Sequence, residues 1–104
     1  MTIRETFIRD LFVIQPTIHS DDRGYFMETF REDLFHEKFP GAGFVQDNEA
    51  MSSRGVIRGL HYQTGDDAQA KLVRIIRGAV WDVALDIRPD SETYGRWYGI
   101  RLDA

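Results

Sequence analysis

Short segments in which apolar and polar residues alternate recur along most of the 104-residue chain. Alternation with a period of two residues is typical of half-buried strands. We predict a broken extended stretch over residues 7–18 and strands over residues 25–30, 43–50, 56–63, 71–77, 79–87 and 97–102. Turn signals separate these segments at residues 19–24, 52–55, 65–67, 78 and 89–91.

One segment, residues 31–39, has helical spacing, with Leu34, Phe35 and Phe39 on one side, and Pro40 ends it. Many short strands and a single helix predict an all-β sandwich or barrel. A jelly roll has eight strands, whereas six or seven are visible here. We therefore predict one domain over residues 1–104 that is incomplete at its C-terminal end, either a fragment or a unit completed by another chain.

Composition narrows the class of protein. The chain is 42% hydrophobic, which is enough for a packed core, and its net charge of -4 argues against a general nucleic-acid groove. It contains no cysteine, so disulfides and cysteine-based zinc sites are excluded. Residues 1–10 lack the apolar run of a signal peptide, and no apolar stretch approaches the ~20 residues of a membrane helix. These features predict a cytoplasmic protein with no membrane or nucleic-acid partner.

Several predicted strands carry polar side chains beside bulky ones on the same face. Gln46 and Asn48 share a face with Phe44, and Glu28 shares a face with Phe26. On a single strand this pattern usually means a solvated face. Its repetition over several strands of one small barrel favours a polar-lined cavity.

The segment RGLHYQ, residues 58–63, is the most informative part of the chain. On a regular strand Arg58 and His61 point to opposite faces, but Gly59 between them indicates a bulge or a close backbone approach that brings them to one side. Histidine is the side chain best suited to act as a base near neutral pH. Because a lone histidine in a strand is more often structural, this segment alone does not establish an enzyme.

The order of five motifs resembles that of the dTDP-4-dehydrorhamnose 3,5-epimerases. The motifs are DDRGYFMETF at 21–30, FVQDN at 44–48, VIRGLHYQ at 56–63, AQAKLVR at 68–74, and GAVWDVALDIR with SETYGRW at 78–97. The resemblance implies a cupin-type jelly roll, also called a double-stranded β-helix, and a homodimer. It also implies inversion of C3 and C5 of dTDP-4-dehydro-6-deoxy-D-glucose, which gives dTDP-4-dehydro-L-rhamnose without a cofactor.

The same resemblance assigns roles to individual residues. His61 would be the proton acceptor, Lys71 would lie beside the sugar's C4 oxygen, and Asp82 and Phe26 would support the site. Arg58 would contact the phosphate or sugar region of the substrate. The nucleotide would be held by Arg23, Glu28, Gln46, Asp47 and Asn48. The family also has a tyrosine proton donor and an aspartate that pairs with its histidine. No motif within residues 1–104 matches either of them.

The sequence is also compatible with other functions. A metal-dependent cupin begins its ligand set with a pair of histidines two residues apart; His61 keeps the expected distance from Gly55, but Gln63 stands where the second histidine belongs. We therefore predict no metal site. A non-catalytic nucleotide-sugar-binding module, a 5-epimerase, a 3-epimerase and a ketoisomerase are the remaining alternatives.

Overall fold

A computed structural model of the chain describes all residues from 1 to 104. It contains three two-stranded antiparallel sheets, one α-helix and a 3₁₀ turn at Gly65–Asp67. The helix and strands are β1 (Thr2–Glu5), β2 (Phe12–Gln15), β3 (Ile18–Asp21), β4 (Gly24–Met27), α1 (Glu32–Lys38), β5 (Ala79–Leu85) and β6 (Trp97–Asp103). The chain forms two compact units, one from Met1–Arg31 with Val73–Ala104, the other from Glu32–Leu72. No helix has the length and the apolar composition needed to cross a membrane.

The first sheet pairs β1 with β2, from Thr2 opposite Gln15 to Glu5 opposite Phe12. The loop between them is closed by Thr6, whose backbone N–H donates to the Leu11 carbonyl at 3.1 Å. The sequence did not predict β1, because a four-residue strand is too short for alternation to stand out.

The second sheet corrects the predicted turn at residues 19–24. Pairing of β3 with β4 continues to Asp21 opposite Gly24, so only two residues form the turn. The Asp21 carboxylate accepts the backbone N–H of Arg23 at 2.8 Å. Such a side-chain-to-backbone bond closes a turn tightly, which is why the strands extend further than the polar composition predicted.

The third sheet confirms the two predicted strands near the C-terminus. The seven residues of β5 pair with the seven of β6, from Ala79 opposite Asp103 to Leu85 opposite Trp97. Residues directly opposite each other share a face. One face therefore carries Trp81, Val83, Leu85, Trp97, Gly99 and Arg101, and the other carries Val80, Asp82, Ala84, Tyr98, Ile100 and Leu102.

Gly99 lies beneath two indole rings. A Cβ atom at this position would lie 2.5 Å from Cζ2 of Trp81 and 3.0 Å from Cζ3 of Trp97. We expect Gly99→Ala to displace Trp81 and to lower the free energy of unfolding by about 1–3 kcal/mol, the usual cost of overpacking. Urea unfolding followed by tryptophan fluorescence measures both effects. Gly43→Ala is the matched control, because a Cβ at Gly43 meets nothing within 4 Å; equal unfolding midpoints in the two variants would contradict this account.

The second unit has its core at α1, which confirms the predicted helix. Phe35 is buried, and its ring makes edge-to-face contacts with Phe39 and Phe44 at centroid distances of 5.5 and 5.9 Å. Glu32 and Asp33 lie in the first turn of the helix, where acidic side chains favour the positive end of its dipole.

The predicted strands at residues 43–50, 56–63 and 71–77 are wrong for this structure, which contains no regular strand there. A strand exists only through its ladder of hydrogen bonds to a neighbour. In these segments the backbone bonds are local turns, such as Val56 N–H to the Ser53 carbonyl at 3.3 Å. Apolar side chains consequently remain exposed; Val45, Met51 and Ile57 are about nine-tenths exposed or more.

Candidate functional site

His61 lies in the second unit, and the backbone of Gly59 passes directly beside it. Gly59 has a φ of +106°, a region that residues with a side chain rarely adopt. A Cβ there would lie 3.4 Å from the backbone nitrogen of His61 and 3.5 Å from its ring atom Nδ1. The strand that Gly59 was expected to interrupt is absent, and the placement of Arg58 and His61 on one side stays a prediction. The imidazole itself is exposed.

Arg58 is held by the residues that precede it. Its Nε donates to the hydroxyl of Ser52 at 2.8 Å, and one terminal nitrogen, Nη2, donates to the Met51 carbonyl at 3.1 Å. The guanidinium is thus oriented although the side chain lies at the surface.

In the segment QDN, residues 46–48, the structure places Gln46 and Asn48 on one face, as the sequence predicted. Gln46 Nε2 donates to Asn48 Oδ1 at 3.2 Å, so these two amides lie on the same side of the chain. Asp47 between them is exposed. The alternation survives without a strand because residues two apart in any extended segment point the same way.

Lys71 is exposed, as is His61. The predicted polar-lined cavity around these two residues is not enclosed in the structure. This unit has an open surface pocket, which is lined instead by Tyr62, Gln63, Thr64, Asp67 and Gln69. A barrel cavity needs paired strands for its walls, and residues 43–72 form none here.

Arg23 lies in the first unit, in the turn between β3 and β4. Its Nε and Nη2 donate to Asp21 Oδ2 at 3.1 and 2.5 Å. These bonds hold the pKa of the Asp21 carboxyl below its usual value, and Asp21 in turn raises the pKa of Arg23. A phosphate bound by Arg23 would therefore share the guanidinium with this carboxylate.

The other predicted site residues of the first unit have fewer polar contacts. Glu28 forms a long ion pair with Arg31, with 3.9 Å between Oε1 and Nη1. Phe26 lies on β4 opposite His19 and is 70% exposed. Asp82 lies on β5 opposite Ile100 and is half-buried.

The most completely bonded carboxylate is one to which the sequence assigned no role. The Asp86 side chain is fully buried and accepts bonds from Arg88 Nε at 2.9 Å, Ser91 Oγ at 2.5 Å and Thr93 Oγ1 at 2.6 Å. Arg88 also donates to Asp10 and to the Arg9 carbonyl, at 3.2 and 2.9 Å. The signal in the sequence is the motif DIRPDSET, in which an arginine and two hydroxyls follow an aspartate at turn spacing.

These donors have a consequence for stability in acid. The bond from Arg88, followed by those from Ser91 and Thr93, holds the pKa of Asp86 far below its ordinary value. A carboxyl whose pKa is lower in the folded state adds stability above the unfolded pKa of about 3.9, and this contribution is lost as the pH falls below it.

We therefore expect Asp86→Asn to lower the urea midpoint near neutral pH and to reduce the loss of that midpoint between about pH 5 and about pH 2. Urea unfolding across this range measures both changes. Asp90→Asn, an exposed residue of the same loop, is the matched control. An acid dependence of the Asp86 variant as steep as that of the parent chain would contradict this assignment.

The structure contains no group of three or more histidine, cysteine, aspartate or glutamate side chains arranged to hold a metal ion. The polar groups of the predicted site residues are one imidazole, one amine, two guanidinium groups, three carboxylates and two amides.

Comparisons with known proteins connect these residues to one family. Residues 5–104 match the family model described as dTDP-4-dehydrorhamnose 3,5-epimerase. The enzyme of that name from Methanothermobacter thermautotrophicus is 53% identical over 98 residues, which are 94% of this chain and 52% of the relative. The chain thus spans about half the length of the curated relatives it matches.

Solved structures give the same result. The crystal structure of this epimerase from Elizabethkingia anophelis superposes with a TM-score of 0.90 at 50% identity, covering 100% of this chain and 57% of the other. The Legionella pneumophila enzyme, crystallised with dTDP-4-keto-L-rhamnose, gives 0.90 at 45% identity, covering 98% and 54%. The predicted all-β, cupin-type fold with one short helix is confirmed.

Proposed function

This chain belongs to the dTDP-4-dehydrorhamnose 3,5-epimerase family, and from that membership we propose that its gene product inverts C3 and C5 of dTDP-4-dehydro-6-deoxy-D-glucose. The observation that carries the proposal is the match over residues 5–104, which includes RGLHYQ and AQAKLVR. The product is dTDP-4-dehydro-L-rhamnose, and the reaction requires no cofactor.

The reaction needs a base, and His61 is the residue proposed to supply it. A proton on carbon next to a ketone is only weakly acidic, so a positioned base is needed, which contributes about 10²–10⁴-fold to the rate. His61 takes that proton at C3 and at C5. Its exposed ring and the adjacent backbone of Gly59 leave the imidazole open to a bound sugar.

The reaction also needs a group that stabilises negative charge on the substrate, and Lys71 is proposed for this role. Removal of the proton develops negative charge on the C4 oxygen, and a donor placed at that oxygen contributes about 10²–10³-fold. The Lys71 ammonium is the cation that supplies this stabilisation. Inversion also requires a proton from the opposite face of the sugar, and no residue of this chain is assigned that task.

The diphosphate of the substrate accounts for the role proposed for the two arginines. A diphosphate is strongly anionic, whereas the chain has a net charge of -4, so binding depends on local cations. Arg58 and Arg23 are oriented guanidinium groups, which suit phosphate oxygens. Glu28, Gln46, Asp47 and Asn48 hold the nucleotide through hydrogen bonds, with Phe26 and Asp82 in support. The Legionella relative bound to dTDP-4-keto-L-rhamnose supports this class of ligand.

The proposed active form is a homodimer in the cytoplasm. The nearly complete exposure of Val45, Met51 and Ile57 supports an assembly that covers these side chains. Absence of cysteine suits a reducing compartment. Sedimentation velocity tests the dimer, and a monomer at micromolar concentration would refute it.

Hydrogen–deuterium exchange tests the catalytic proposal directly. The full gene product is incubated with dTDP-4-dehydro-6-deoxy-D-glucose in heavy water, and NMR follows deuterium at C3 and C5 and the configuration of the product. Exchange with inversion at both carbons is the expected result. Inversion at one carbon only would replace the double epimerase with a single one.

A nucleotide-sugar-binding module without catalysis is the second candidate. It is favoured by the exposure of both His61 and Lys71, because no enclosed cavity holds the two side chains around a sugar. Binding of dTDP-sugar without exchange at either carbon would establish it.

A further inference from the structure

One edge of the Arg58 guanidinium is already occupied by protein. Nε donates to Ser52 Oγ at 2.8 Å and Nη2 donates to the Met51 carbonyl at 3.1 Å. Both acceptors come from the segment just before the turn at residues 53–56, where Val56 N–H bonds the Ser53 carbonyl. The arginine is therefore held by a short local loop.

The planar geometry of the guanidinium determines which of its N–H donors remain free after these two contacts. A guanidinium presents five N–H donors in a plane, and it can offer a pair of them along its Nε side or at its Nη end. Here the Nε side is used by Ser52 and Met51. The two Nη atoms at the end of the group can still offer a parallel pair of bonds to phosphate oxygens.

We propose that Ser52 is a positioning residue, which holds Arg58 so that its Nη end meets the diphosphate of the substrate. This inference rests on the proposed function, because the ligand is the same dTDP group. Ser52 itself touches no phosphate; its hydroxyl fixes a long, exposed side chain that would otherwise sample many rotamers. The serine acts on ground-state binding of the nucleotide and leaves the proton transfers to other residues.

Calorimetric titration with dTDP tests the proposal on the full gene product. Ser52→Ala is expected to raise the Kd for dTDP by about three- to tenfold, the effect of one net hydrogen bond. Ser52→Thr, which retains the hydroxyl, is expected to restore affinity. Ser53→Ala is the matched control, because Ser53 contributes its backbone carbonyl to the turn and not a side-chain bond to Arg58. Thymidine, which has no phosphate, should bind the parent and the Ser52 variant equally.

A double-mutant cycle shows whether Ser52 acts through Arg58. Lysine has no Nε edge, so in an Arg58→Lys background Ser52→Ala should cause no further loss. In turnover, Ser52→Ala should raise KM while kcat changes by less than about twofold.

An unchanged Kd for dTDP in Ser52→Ala, an equal loss for thymidine, or additive losses in the cycle would each overturn the inference. The epimerase proposal fails separately. A gene product that shows the expected dTDP affinities but no exchange at C3 or C5 retains the role of Ser52 and loses the catalytic assignment. A parent protein that does not bind dTDP overturns the role of Ser52 as well.

Discussion

Replacing His61 with glutamine should slow exchange at both C3 and C5 by about 10²–10⁴-fold in the full gene product, because the base proposed to remove each proton is lost. Glutamine keeps much of the size and polarity of the side chain but accepts no proton near neutral pH. The Kd for dTDP should change little, since the proposed phosphate contacts come from other residues. NMR exchange in heavy water and calorimetric titration measure the two effects separately.

The matched control for this substitution is His36→Gln. His36 is an exposed residue in the last turn of α1 and has no assigned role. Exchange should proceed at the parental rate in that variant. Parental exchange in the His61 variant would remove the histidine from the mechanism, and exchange lost at one carbon only would assign the other carbon to a different base.

Replacing Lys71 with methionine should lower kcat by about 10²–10³-fold, because the charge that develops on the C4 oxygen loses its proposed donor. Methionine has a similar length and no charge, so packing changes little. Since the ammonium acts mainly as the charge forms, KM should change much less than kcat. Steady-state kinetics on the full gene product measure both parameters.

Lys38 is the only other lysine of the chain, and Lys38→Met is therefore the natural control. It lies in the last turn of α1 and is exposed. A Lys71 variant with normal kcat and raised KM would make Lys71 a binding residue rather than a stabiliser of the enolate.

The features predicted correctly from the sequence are those fixed by local residues. Phe35 and Phe39 at helical spacing, followed by Pro40, define α1 within about one residue at each end. The paired strands β5 and β6 follow from long alternation and a clear intervening turn. Both depend on neighbours that are close in sequence or within one hairpin.

The features predicted wrongly depend on partners that a local pattern does not supply. Residues 43–50 and 56–63 alternate well, yet no ladder pairs them in the structure. The cavity expected around His61 and Lys71 depended on those same strands. The contacts of Arg58 with Ser52 and of Arg23 with Asp21 were missed because side-chain bonds in turns leave no periodic signal.

The bonds to Asp86 bear on the order in which the chain acquires structure. Ser91 and Thr93 lie within seven residues of this carboxylate, so closing that loop costs little chain entropy. Arg88 then reaches back 78 residues to Asp10. Because Asp10 is synthesised 78 residues before Arg88, the bond between these two parts of the first unit forms only after residue 88 has left the ribosome.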